Sequence, residues 1–338
     1  MTFSPPRDDK YPAISLTTEP KGRRQFTETT LGQSTLRPFF QATAKIPALR
    51  LVCIPADASR VVHCDGAVFQ EVMREMGVDP WVTDLIRPRA YGFYHSGRPS
   101  DDGPSTYFLG TSFARVVWTT SWHKESDIAV ANCLVLAPLD RFDDRPSTAG
   151  DIPSLELAQI SGLFRTISAF QADSCSALFL PLVLAAHTFR WADDDLAYCL
   201  DAIRHIESRT GHGSYGTHFE ENRDTIPAIT SKLGFTHNIL INISKHASII
   251  KSVLDFMLEE HDELEKKEPQ HTEVHASDLN ILSAARIIRF RASSAEKQCQ
   301  YLKGRVQNQT SVVSHRSILT RRQMSQLLID MLLSSFHS

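Results

Sequence analysis

No stretch of this sequence is long and apolar enough to span a bilayer, which takes roughly 20 apolar residues. The most hydrophobic run, Ala177 to Ala186 (ALFLPLVLAA), falls short of that, contains Pro181 and lies between Asp173 and the segment His187 to Arg190. It reads as a buried helix. An excess of one charge is also lacking: 36 Lys and Arg against 39 Asp and Glu leave a formal net charge of −3. That balance does not suggest a protein built around nucleic acid. The six cysteines, Cys53, Cys64, Cys133, Cys175, Cys199 and Cys299, include no closely spaced pair, so they read as scattered reduced thiols and not as a zinc knuckle or redox motif. Residues 1–24 lack the apolar core of a signal peptide, which leads to the expectation of a cytoplasmic protein. On that expectation the sequons at Asn242 and Asn308 carry no meaning as glycosylation sites. Phosphate-binding GxxxxGKS/T, dinucleotide GxGxxG in a strand-to-helix context and zinc-binding HExxH are all missing. No motif therefore supports an enzyme.

What is present is periodicity. Ile226, Ile229, Leu233, Thr236, Leu240, Ile243, Ala247, Ile250, Leu254 and Met257 follow one another in steps that alternate between three and four. This spacing puts every one of them on a single helix face. It predicts a helix from Asp224 to Lys267, ended by Pro269. Ile239 and Val253 widen the face beyond a two-position seam, so more than one neighbour is expected to pack against it. A second ladder, Ile281, Ala285, Ile288, Ala292, Ala295, Cys299, Leu302 and Val306, predicts a helix over Ser277 to Val306 with Ser277 as its N-cap. Its small residues allow a neighbouring helix to approach closely, and an antiparallel pair is the simplest arrangement. Ser325 to Phe336 crowds seven large apolar residues into a short terminal helix. Such a surface needs cover, from the bundle, a partner or a membrane surface.

Upstream, residues 1–45 are rich in Thr, Pro and charge without a sustained period and read as a disordered arm. Leu49 to Ile54 (LRLVCI), bounded by Pro47 and Pro55, reads as a strand, and Ala67 to Met76 as a helix closed by Gly77. Tyr91 to Tyr94, Tyr107 to Leu109, Phe113 to Thr119 and Ile128 to Leu136 read as strands of one mainly antiparallel sheet. Leu155 to Phe170, Ala177 to Phe189 and Asp193 to Ser208 read as separate helices. The expected class is α+β, an N-terminal α/β sheet domain (46–150) followed by a long-helix antiparallel bundle (151–322) and a short apolar C-terminal helix (323–338).

Several local strings carry candidate chemistry. Leu258 to Glu268 (LEEHDELEKKE) holds Glu259, Glu260, Asp262, Glu263 and Glu265 near His261, oxygen ligands of the type that suits Mg²⁺ or Ca²⁺. Consecutive helical residues point in different directions, so the plainer reading is a solvated helix face. Asp193, Asp194 and Asp195, at an expected helix start, are read as serving the N-terminal dipole. His212-Gly213-Ser214-Tyr215-Gly216 has His212 where a nucleophile elbow requires glycine. His63-Cys64-Asp65 reads as a surface turn near a strand end, since adjacency in sequence is not the geometry of a triad. Arg286, Arg289, Arg291, Arg305, Arg316, Arg321 and Arg322 could meet phosphates, but without a reading helix or stacking platform they are read as facing solvent.

Four strings together resemble the cytosolic part of fungal CorA-like, magnesium-transporter-like proteins: LRLVCIP at Leu49 to Pro55, the aromatic region Tyr107 to Trp122, Phe189-Arg190-Trp191 before an acidic helix, and AEKQCQYLKGRVQNQTSVV ending at Val313. The resemblance covers roughly residues 49–313. It implies a cytosolic α/β domain leading into long stalk helices, then two membrane spans joined by a Gly-Met-Asn loop that selects hydrated divalent cations. This sequence has neither the loop nor the spans, and it departs from the stalk pattern after Val313. Mg²⁺ therefore enters by resemblance alone, and no cofactor or catalytic residue is expected. The expected function is a non-catalytic soluble interaction or regulatory protein with a protein partner or second copy bound through the long helices, no nucleic acid, and at most indirect membrane association. The alternatives are a cytosolic component of a membrane Mg²⁺ transport assembly, or an accessory protein of a fungal pathway without a transport role.

Overall fold

The computed structural model describes residues 2–4, 10–18, 24–41, 47–56, 61–86, 90–97, 104–112, 114–123, 128–137, 160–174, 176–210, 226–267 and 272–335. The first element is the short strand β1 (Thr2–Ser4), and the hairpin of β2 (Tyr11–Thr18) and β3 (Arg24–Leu31) follows. Helix α1 (Gln33–Gln41) leads to β4 (Pro47–Pro55) and β5 (Val61–His63). After α2 (Gly66–Glu75) and the single turn α3 (Val82–Leu85) come four strands: β6 (Gly92–Ser96), β7 (Ser105–Gly110), β8 (Arg115–His123) and β9 (Ile128–Ala137). The rest is helical: α4 (Ile160–Ala169), α5 (Phe179–Thr210), α6 (Ile226–Lys267) and α7 (Thr272–Ser335). The class is α+β, a sheet domain followed by long helices.

Seven strands form one sheet in the order β3-β2-β4-β9-β8-β7-β6, and β1 pairs with β5 in a separate two-stranded sheet. Every pair in the large sheet is antiparallel except β4 with β9. Strand β4 explains the run LRLVCI: Leu49, Leu51, Val52, Cys53 and Ile54 are all buried, because both faces of this central strand are covered. On one face Val52, Ile54, Val117 and Leu134 pack with Leu36, Phe40, Phe69, Val72 and Met73 of α1 and α2. On the other, Leu109, Val116 and Val135 meet Ile160 and Leu163 of α4 and Leu184 of α5. Phe256 of α6 lies on the same face, 5.7 Å from Tyr107, which stacks on Trp118 at 5.0 Å.

Helix α2 shows how local sequence sets its own ends. Asp65 Oδ1 accepts from the N–H groups of Ala67 and Val68 at 2.8 and 3.1 Å, which satisfies two of the donors left free at a helix start. At the other end Gly77 takes φ +71°. Its N–H donates to Arg74 O while Val78 N–H donates to Met73 O, the paired reverse bonds of a Schellman motif.

Three sequence expectations need correction. Residues 1–45 contain no single disordered arm, for β1, β2, β3 and α1 lie within them. Strand β2 is sandwiched between β3 and β4 with Tyr11, Ala13, Ile14 and Leu16 buried. Pro12 is tolerated because β4 begins to pair with β2 only at Ala13. The helices expected at Ala177 to Phe189 and Asp193 to Ser208 are one helix, α5. Pro181 stands in its first turn, where the missing N–H would have no intrahelical acceptor. Likewise Ser277 is inside α7 and not at its start, and Ser325 to Ser335 continues that helix without a break. Leu155 to Gln159 lies outside the described residues, as do the connection Gly211 to Asn222 and Phe113.

The chain divides into two compact units, the first comprising Met1–Ala192 with His246–Ser293 and the second Asp193–Lys245 with Ser294–Ser338. In the first, Asp255 of α6 pairs with Arg289 of α7, and Arg291 of α7 lies over the Phe189 ring of α5 at 4.8 Å. In the second, Cys199 of α5 reaches Thr236 O of α6 at 3.9 Å, and Glu207 of α5 grips Arg305 of α7 through two bonds, one of them 2.9 Å. Most of each apolar ladder is interior: Leu233, Thr236, Leu240, Ile243, Ala247, Ile250, Leu254 and Met257 are buried, as are Ile281, Ala285, Ala292, Ala295, Cys299, Leu302 and Val306, while Ile226, Ile229 and Ile288 are half-buried.

Candidate interaction surface

The acidic segment of α6 does not gather its carboxylates. Glu259 and Asp262 are exposed, Glu263 is half-buried, and Glu260 and His261 are buried. His261 Nδ1 lies 3.8 Å from Asp262 Oδ1. The cause is helical geometry, which turns each successive side chain by about 100°. Among the described residues no group of three or more His, Cys, Asp or Glu could hold a metal ion.

Asp193, Asp194 and Asp195 fall in mid-helix, so the dipole role expected for them fails. Asp195 is buried while its two neighbours are half-buried. His63-Cys64-Asp65 is not a surface turn either. His63 and Cys64 are buried, His63 Nδ1 is 2.9 Å from Ser4 Oγ, and Asp65 is the cap of α2. This string closes β5 and opens α2. The segment His212 to Gly216, with Ser214, lies outside the described residues.

The buried thiols are poor nucleophiles. Burial pushes Cys53 and Cys133 far above the ordinary range. Cys199 is pushed up to about 12 by burial, then by Asp195 and Cys299. Cys299 rises to about 11, mainly through burial. A thiol held protonated attacks nothing.

The arginines expected to face solvent divide into two sets. Arg286, Arg289, Arg291 and Arg322 are exposed, Arg289 and Arg291 while making the contacts described above. Arg305 is largely covered with Glu207, and the half-buried Arg316 donates to Thr210 O at 2.8 Å. Thr210 Oγ1 also donates to Gln309 Oε1 at 2.7 Å. Arg305 and Arg316 hold helices together and are not displayed toward phosphates.

Helix α7 also displays apolar side chains. In the first unit Ile287 and Phe290 are 61 and 76 % exposed, and in the second Tyr301 is 63 %, Ile318 52 %, Leu327 58 % and Ile329 50 % exposed. The terminal apolar segment thus leaves Leu327 and Ile329 uncovered in this chain. By sequence, Ile287, Tyr301 and Ile329 stand whole multiples of seven residues apart, as do Phe290 and Ile318. The two sets are offset by three, the a and d spacing of a coiled-coil seam. This second stripe was legible beside the buried ladder but is interrupted by Ser294, Lys297, Gly304, Asn308, Ser311, His315, Arg322 and Ser325, which hide it from a search for continuous apolar runs.

Among the described residues no helix is long and apolar enough to cross a membrane. No family model matches the chain, and no curated protein matches it. Among solved structures, it is similar to the complete structure of the CorA magnesium transporter from Methanocaldococcus jannaschii, with 11% sequence identity and a TM-score of 0.48 over 94% of this chain and 81% of that chain.

Proposed function

We propose that this protein is a non-catalytic interaction or regulatory module that works by self-association, with the exposed side of α7 docking on α7 of a second copy. The observation that carries this reading is the exposure of Ile287, Phe290 and Tyr301 on a helix whose opposite side is already buried. Exposed apolar side chains at heptad spacing are costly on a monomer and useful in a helix pair. The polar residues between them would specify register at some cost in stability. The candidate carboxylates Glu259, Glu260, Asp262 and Glu263 have no role in this reading.

Sedimentation across a wide concentration range tests it. The full chain is expected to shift from monomer to a larger species, and Phe290→Asp with Ile287→Asp is expected to keep it monomeric with helicity intact. A wild-type chain that stays monomeric at the highest concentration, or a double variant that associates as the wild type does, removes the proposal.

A further inference from the structure

The exposed side of α7 has the same pattern read from either end. Its two middle seam positions, Asn308 and Ser311, carry polar side chains, and the next pair outward, Gly304 and His315, carry no apolar one. Tyr301 and Ile318 follow, both large and exposed. Two further steps on each side are polar, and Phe290 and Ile329 then close the series with exposed apolar groups. An antiparallel helix pair matches each position with the one equally far beyond the two-fold axis. A pattern symmetrical about its own middle is therefore what a surface needs to meet a second copy of itself. An unrelated partner imposes no such symmetry. The seam positions from Ser294 to Ser325 all belong to the second unit, so the middle of the pattern lies within one compact body.

The pairs that result are complementary in size. Tyr301 of each copy meets Ile318 of the other, and Phe290 meets Ile329. Arg305 lies over the Tyr301 ring at 5.6 Å, which orients the ring while 63 % of the residue stays exposed. Gly304 falls opposite His315, and a Cβ placed on Gly304 would have no atom within 4 Å in the single chain, so the space above it is free for a ring. Asn308 meets Ser311, an amide and a hydroxyl that can each donate and accept.

A parallel pair matches each position with itself. It sets Lys297 against Lys297, Arg322 against Arg322 and, on the flanks, Arg286 of one copy beside Arg291 of the other. The antiparallel register puts Arg291 beside Gln326 and Arg305 beside Val312 instead. Its one like-charge meeting is Lys297 with Arg322, both exposed and both long enough to turn their heads out to water.

We propose that two copies pair through α7 in antiparallel fashion, about a two-fold axis between Asn308 and Ser311, with Tyr301 of each copy seated against Ile318 of the other. This rests on the self-association proposed above and adds its direction and register.

Pulsed dipolar electron spin resonance on the associated full chain separates the two directions. Nitroxide labels are placed singly by Q298C and Q307C, both at exposed positions, in a C175S background, since Cys53, Cys64, Cys133, Cys199 and Cys299 are buried. At ~1.5 Å rise per residue the antiparallel register sets the two 298 labels about 35 Å apart along the axis, and the two 307 labels within about 20 Å of each other. A parallel pair brings both sets within about 20 Å. Short distances at both positions overturn the antiparallel register and leave self-association standing, whereas a chain that sediments as a monomer at every concentration removes both. A charge variant adds an independent reading in solution. K297E faces Arg322 of the second copy across the antiparallel seam and is expected to tighten association roughly fivefold at low salt, whereas in a parallel pair it would face a second carboxylate. Association unchanged or weakened in K297E, with helicity intact, overturns the register.

Discussion

Glu207 and Arg305 are both largely withdrawn from solvent, with side-chain exposures of 9 and 16 %. At that burial the pair's worth lies less in mutual attraction than in what is left when one partner is removed. Glu207→Gln is therefore expected to cost about 3 kcal/mol in urea unfolding, and the double change Glu207→Leu with Arg305→Met distinctly less. Equal losses in single and double variants would show that the pair acts as packing alone. His187 makes a different residue-scale prediction. Its folded pKa of about 4 lies below the ordinary 6.5, so between these values the unfolded chain holds a proton that the folded chain does not. Stability is then complete above about pH 6.5 and falls as pH drops toward 4, by on the order of 3 kcal/mol. His187→Leu should flatten the dependence of the urea midpoint on pH in that window. An unchanged slope would mean that other groups dominate the acid response.

At the scale of elements, α6 is the clearest case of local pattern becoming packing. Its ladder is buried through Leu240 and Leu254, each fully covered. Leu240→Ala and Leu254→Ala are each expected to cost about 2 to 5 kcal/mol by chemical denaturation, with the spread set by how far each site can collapse. A loss within measurement error at either site would contradict its burial. Helix α5 shows the same principle read less well. Ala185, Phe189, Ala192, Leu196, Cys199, Ile203 and Ile206 are all buried and follow in steps of four and three, one unbroken ladder through the Asp193 to Asp195 string. Three carboxylates suggested a helix start, yet no Gly or Pro separates Phe189 from Asp193. With no breaker the continuous apolar face prevailed, and the helix runs through.

For the whole molecule, the proposed association through α7 is apolar, and so it should respond weakly to ionic strength. Raising salt from about 50 to about 500 mM is expected to leave the sedimentation midpoint within a factor of about two, because screening acts on charges and not on buried hydrocarbon. A strong salt dependence would move the contact from Ile287 and Phe290 to exposed cations such as Arg286. The long helices, the ladder faces of α6 and α7, the strand at LRLVCI, the antiparallel order of β6 to β9 and the close of α2 at Gly77 were determined by the sequence itself. Periodicity, caps and turn residues act between positions a few residues apart, so the chain carries those instructions wherever it folds. Tertiary structure alone decided the rest. Strand β2 owes its place to β4, some forty residues on, and the imidazole of His246 to a turn at a sequence separation of 134. The exposure of one side of α7 was likewise settled by which neighbours reached it. Pairing and burial between distant residues depend on how the whole chain closes on itself, and no window of local sequence contains that information.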